Sequence, residues 1–175
     1  MKRFLAILLT LALCLGAAGA APALAGADSV SARTTLAGSS YAKLNNVNLA
    51  ASSLNGITIP CGASFSFNEI VGPRTEAYGY QRAANGRGVR VTGGGVAQVA
   101  SALWLAVKNL DCVAVVEKST YGSRYNQSYV LSSNDAILTD YSAGTDFSFR
   151  NIGFKPLTIA VYVSGDELCC EIYQD

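Results

Sequence analysis

Histidine is absent from the 175 residues, and the chain carries one methionine, one tryptophan and four prolines. The missing histidine removes the commonest general base for activating a nucleophile at neutral pH, and the commonest metal ligand with it. Charge is scarce as well: Asp, Glu, Lys and Arg make up 14%, with a formal net charge of +1. Lys2 and Arg3 stand in an N-terminal targeting segment, so removing those two from the 13 basic residues leaves 11 against 12 acidic ones. That balance gives no electrostatic footprint for nucleic acid and no long-range attraction to anionic membranes.

Apolar residues are plentiful, at 50% of the chain. A chain of this length has enough of them for one domain with a sizeable core, and no internal repeat argues for more. Lys2 and Arg3, the apolar run 4–15 and the small residues 16–27 read as a secretory signal, with A-x-A cleavage sites ending at Ala25 or Ala27. Residues 1–27 are therefore expected to direct export and residues 28–175 to form the mature domain. The alternative is a membrane anchor that is never cleaved, which the apolar run disfavours because it falls short of the roughly 20 residues needed to span; after cleavage no stable membrane span is expected. Cys14 follows bulky Leu13, a poor setting for lipidation.

Four cysteines remain in the mature part, Cys61, Cys112, Cys169 and Cys170. An exported chain can pair them in three ways, one of which needs the strained adjacent bridge, and free buried thiols are the other reading. No C-x2-C pair and no histidine are present, so neither a metal nor another cofactor is expected. On a strand, residues 169 and 170 point to opposite faces, so at most one of them faces the core.

Apolar positions Leu44, Val47, Ala51 and Leu54 recur at helical spacing over 41–54, and Asn55-Gly56 ends that helix. Short strands follow over 57–59 and 64–67. Residues 79–95, rich in glycine and carrying Arg82, Arg87 and Arg90, read as a long exposed loop or ribbon. Residues 96–110 are apolar on almost every side, which predicts a buried central helix. Beyond Asp111 the chain turns to strands over 113–117, 125–131, 136–139, 147–149, 157–163 and 167–173, the last two joined at Gly165-Asp166. The expected fold is α+β, a single domain with a buried central helix packed on an antiparallel sheet.

The candidate site is the run Gly93-Gly94-Gly95-Val96-Ala97-Gln98, where a glycine turn opens that helix. Amides at such a turn, with the positive end of the helix dipole, favour a nucleophile or an anion. Gln98 lies in the first turn, and Ser101 follows Ala97 on the same face. A serine hydroxyl without a base is inert at neutral pH. The three arginines of the ribbon offer a carboxylate fork or a solvated face, and Tyr78, Tyr80, Trp104, Tyr121 and Tyr125 offer a glycan groove or ordinary core. Asp146 and Asn151 flank a strand and suit turn stabilisation.

The run GGGVAQVASALW resembles the GGG-[IV]-C-Q-[VI]-S-T-T-L-Y signature of the VanW-like family, bacterial cell-envelope proteins named for a member of glycopeptide-resistance gene clusters. Asn48-Leu49-Ala50-Ala51 with Leu54-Asn55-Gly56 resembles that family's opening helix. Phe65-Ser66-Phe67-Asn68-Glu69 with Val71-Gly72-Pro73-Arg74-Thr75 and Gly79-Tyr80 resembles its FSFNE-x-VG-x-RT…GY block. Asn134-Asp135-Ala136 matches G-x-DAT, and Asp146-Phe147-Ser148-Phe149-Arg150-Asn151 matches D-F-x-F-x-N. The likeness runs over about residues 33–173.

The departures matter equally. Ala97 stands where the family usually has Cys, Ala100 where it has Ser, Trp104 where it has Tyr, and Ser119, Thr120, Tyr121 and Gly122 where it carries H-x-H-S. The resemblance implies a cysteine-nucleophile site in relatives that this chain has lost. It points to an exported non-catalytic envelope domain that binds peptidoglycan or a wall-associated protein. The binding residues would be Gly93, Gly94, Gly95, Ala97, Gln98, Ser101, Tyr121 and Asp135, with Asp135 as an orienting carboxylate or a structural one. The competing reading is an envelope hydrolase or transpeptidase-like enzyme that uses an atypical nucleophile such as Ser101.

Overall fold

A computed structural model describes residues 28–174; the segment read as a secretory signal lies outside them. The chain opens with strand β1 (Asp28–Thr35) and helix α1 (Tyr41–Leu54). The Ser40 side chain caps α1 by accepting from Lys43 N, and the helix buries Asn46, Val47, Ala50, Ala51 and Leu54 on one face. Gly56, at φ +84°, supplies the left-handed step that lets the chain turn back after it.

Strands β2 (Thr58–Ile59) and β3 (Ser64–Ser66) follow, then a short helix α2 (Phe67–Val71). Phe67, expected to end a strand, starts this helix, because the Ser66 hydroxyl accepts from Glu69 N and caps it. The glycine-rich stretch forms a hairpin, β4 (Arg82–Ala84) with β5 (Arg90–Thr92). It is less exposed than expected, since Tyr80, Ala83 and Gly86 are buried.

Helix α3 (Val96–Val107) lies at the centre, with all its residues but Trp104 and Leu105 buried, as the expectation of a central helix required. It ends at Val107, capped by Lys108, before the expected end at residue 110. Strands β6 (Val113–Lys118), β7 (Phe147–Asn151), β8 (Leu157–Ser164) and β9 (Glu167–Gln174) complete the fold. The fold is thus α+β with antiparallel sheets.

The sheet expected between residues 113 and 173 is in fact two sheets. One has the order β1-β9-β8-β2 and the other β3-β7-β6. β1, not foreseen, pairs with β9 along its whole length, Asp28 opposite Gln174 through Thr35 opposite Glu167. This splits the late strands between the sheets. α3 packs on β1 and β9, and α1 on β8 and α3. Phe65, Phe147 and Phe149 of the second sheet enter the same core as Leu157, Ile159 and Ile172 of the first.

Residues 125–131 form no strand. Tyr125 and Tyr129 meet edge-on at 5.3 Å, and the Tyr125 hydroxyl accepts from Val130 N, so the segment folds on itself. Residues 136–139 contribute only the bridge Thr120–Ile137.

The four described cysteines are free. Cys170 belongs to the core, whereas Cys169, opposite Arg33 and Tyr162, is buried on the other face of its sheet. Among the described residues no helix is long and apolar enough to cross a membrane.

Candidate functional site

The head of α3 is built by the glycine run, and each glycine has its own geometric reason. Gly93 and Gly95 sit at φ +79° and +103°, where a side chain is strained. Gly94 has an ordinary backbone, but a Cβ there would lie 1.9 Å from the Ala83 carbonyl oxygen. The turn is therefore pressed against β4 at van der Waals limits. Asn46 of α1, fully buried, holds it there: its Nδ2 donates to Gln81 O and Gly94 O at 2.8 Å each, and its Oδ1 accepts from Gln81 N at 2.8 Å.

The amides that were expected to face a ligand are largely committed within the chain. Gly93 N donates to Gln81 O, Gly94 N to Val91 O, Val96 N to Gly93 O and Gln98 N to Gly95 O. The glycine turn is thus a built joint between ribbon and helix, and other groups must recognise a ligand.

Beside this joint lies a cavity of about 390 Å³. Gly93, Gly95, Val96 and Ala97 form one wall, β5 contributes Val91 and Thr92, and Tyr121, Leu138, Asp140 and Tyr141 close it with Arg74 and Thr75. Its size suits a small organic ligand or one or two residues of a polymer. Ala97 is 7% exposed and clusters with Tyr121, Tyr129, Val130 and Ala136.

Tyr121 does reach the neighbourhood of Ala97, but not from a strand. It follows the Thr120 bridge and begins a 3-10 turn. Its ring packs so closely on Gly86 that a Cβ there would lie 2.3 Å from Tyr121 Cε2. Burial pushes the phenol above its ordinary value, with a backbone hydrogen bond from Gly86 and the charge of Arg87 offsetting part of the rise.

Asp135 lies elsewhere. Its Oδ1 accepts from Trp104 Nε1 at 2.7 Å and its Oδ2 from Lys108 Nζ at 3.0 Å. Trp104 lies seven positions after Ala97 on the helix, about 10 Å along the axis, and Asp135 does not line the cavity. A compact constellation of residues 97, 121 and 135 is therefore not formed. Asp135 staples the far end of α3 to the loop before the Ile137 bridge.

Gln98 and Ser101 face inward. Gln98 Nε2 donates to Thr34 Oγ1 and Thr35 O, tying α3 to β1, while its Oε1 is buried without a partner. Ser101 Oγ donates to Ala97 O and accepts from Ile137 N at 2.9 Å. Both side chains are fully buried and absent from the cavity wall. Arg82 and Arg90 are exposed and brace their hairpin, each donating to the other's carbonyl. Tyr80 is 4% and Tyr78 63% exposed, so those aromatics make no common groove.

The groups that sequence reading passed over are Asn68 and Arg74. Asp146 Oδ2 accepts from Ser66 Oγ at 2.6 Å and its Oδ1 from Asn68 N and Phe147 N. Asn68 Oδ1 then accepts from Arg74 Nη1 at 2.7 Å, and Arg74 lines the cavity. Motif residues far apart in the chain thus converge on one arginine. Their recurrence within the FSFNE, RT and DF blocks was the available signal.

Fold and pocket define a class: an α+β domain whose central helix, headed by a glycine joint, forms one wall of a ligand-sized cavity. The model of the VanW like protein family matches residues 42–173, and the chain belongs to that family. It is 29% identical over 138 residues to the uncharacterized protein YoaR of Bacillus subtilis (strain 168), which covers 77% of this chain. The chain spans 44% of the length of that relative. No solved structure matches the chain.

Proposed function

We propose that the chain is an exported, non-catalytic cell-envelope domain that binds peptidoglycan or a wall-associated partner, with the cavity beside the head of α3 as its ligand site. One observation carries this reading: the cavity offers Ala97 and Tyr121 where a nucleophile and a base would be needed. An alanine methyl has no electron pair to donate. A phenol held above its ordinary value of 10 by burial stays protonated at neutral pH and cannot take a proton.

The enzyme reading would need Ser101. Its hydroxyl is fully buried, is engaged as both donor and acceptor, and lies off the cavity wall. Family membership supports the envelope setting by association, and the segment read as a signal supports export.

Incubation of the purified protein with muropeptides, followed by chromatography, tests the non-catalytic half. The expected result is a product profile identical to the buffer control. Products formed by the wild type and abolished by Ser101→Ala would replace this reading with the enzymatic one.

A further inference from the structure

Arg74 carries a charge that no ion pair among the described residues meets directly. The ion pairs of the described residues join Arg33 to Glu167 and Lys108 to Asp135 and leave it out. Burial works against its guanidinium, Nη1 is spent on Asn68, and Nη2 is buried without a hydrogen-bond partner. Asp146 and Asp140 support its charge from nearby. Asp146 has both oxygens engaged, and Asp140 Oδ1 accepts from Ser142 N, Ser142 Oγ and Ala143 N.

The guanidinium lies over two rings, 5.5 Å from the Phe67 centroid and 5.9 Å from that of Tyr141. Phe67 is fully buried and belongs to the core. Tyr141 is 46% exposed, on a small loop closed by reciprocal bonds between Asp140 and Thr145. The arginine is thus held by Asn68 and the core ring of Phe67, and it shares the cavity wall with the Tyr141 ring, which solvent reaches. A desolvated cation with a spare donor costs folding free energy unless a counter-ion arrives.

We propose that Arg74 anchors a free carboxylate of the ligand in this cavity, entering past Tyr141, with the adjoining carbon chain against Val96, Ala97 and Leu138. The proposal rests on the reading of the cavity as the ligand site. A guanidinium suits a planar carboxylate. The neighbouring Asp140 carboxylate disfavours a dianion, so a peptide carboxylate fits better than a phosphate.

Calorimetric titration of the purified protein with N-acetyl-D-alanyl-D-alanine, with its carboxamide and with inorganic phosphate tests this. The acid is expected to bind and the carboxamide to bind about tenfold more weakly or worse, the loss of one charge-assisted contact. Phosphate is expected not to compete. Arg74→Gln keeps the aliphatic stem against Gly93 and should bind acid and carboxamide alike. Equal wild-type affinity for acid and carboxamide, no binding of the acid, competition by phosphate, or a preference surviving in Arg74→Gln would each overturn the proposal. If the variant does not fold, the wild-type comparison of acid with carboxamide decides alone. Retention on sacculi separates the two readings: wild type retained without any carboxylate preference removes the anchor and leaves wall binding standing, whereas no retention removes wall binding itself.

Discussion

Asn46 illustrates how much of this molecule rests on single buried polar groups. Three hydrogen bonds from one amide fasten the ribbon and the glycine turn to α1. Asn46→Ala would strand one amide and two carbonyls, and a loss of about 2–4 kcal/mol in urea unfolding is expected. Gly94→Ala should be equally harmful, because its Cβ would strike the Ala83 carbonyl. Gly144→Ala meets open space and bears only backbone strain, so about 1–2 kcal/mol is expected there.

Asp135 supplies a test in pH. Burial alone would raise its pKa, but hydrogen bonds from Trp104 and Lys108 and the charges of Lys108 and Lys118 bring it below the ordinary value. A depressed folded pKa means stability present above the unfolded value and lost as pH falls through the folded one. Stability of the wild type relative to Asp135→Asn should therefore shrink as pH falls through the ordinary carboxylate range and on below it. Emission of Trp104, the only tryptophan, reads it directly. A structural role for Asp135 was among the readings of the sequence, but its partners were not legible: Asn46 reads as an ordinary polar helix residue, and nothing in the spacing of residues 68 and 74 reveals that they meet. Ala97 and Tyr121 were legible because their motif positions mark them.

Among the elements, periodicity was a sound guide wherever one face is buried. α1 matches its expected bounds, and β8 alternates Leu157, Ile159 and Val161 inward. α3 was recognisable from its continuous apolar character, and Leu103, fully buried on it, should cost about 2–5 kcal/mol when truncated to alanine. Hydrogen exchange should find α3 amides the slowest and those of β4 and β5 much faster, since the hairpin is two-stranded and largely exposed. Comparable protection of hairpin and helix would contradict that ranking. The misread segment 125–131 has the tyrosines and valine of a strand, but they pack on one another and on Ala97 instead of pairing with a neighbour. β1 gave little warning, because its serines, threonines and arginine mask a strand that a partner recruits.

At the scale of the whole molecule, a core built from two sheets and two long helices leaves a cavity beside the head of α3 with Ala97 and Tyr121 in its wall, and this cavity is the proposed ligand site. Mass spectrometry of the envelope or secreted fraction should find a mature start near Gly26 or Asp28; intact Met1 in the cytoplasm would remove export from the account. The cavity itself is tested by filling it. Val91 is 37% exposed on β5 and lines the wall, so Val91→Trp should block the cavity while leaving the strand intact. Retention of purified protein on sacculi is the measurement. The account predicts retention by the wild type and its loss in Val91→Trp at unchanged melting temperature; undiminished retention of the filled variant would show that the wall is bound somewhere else.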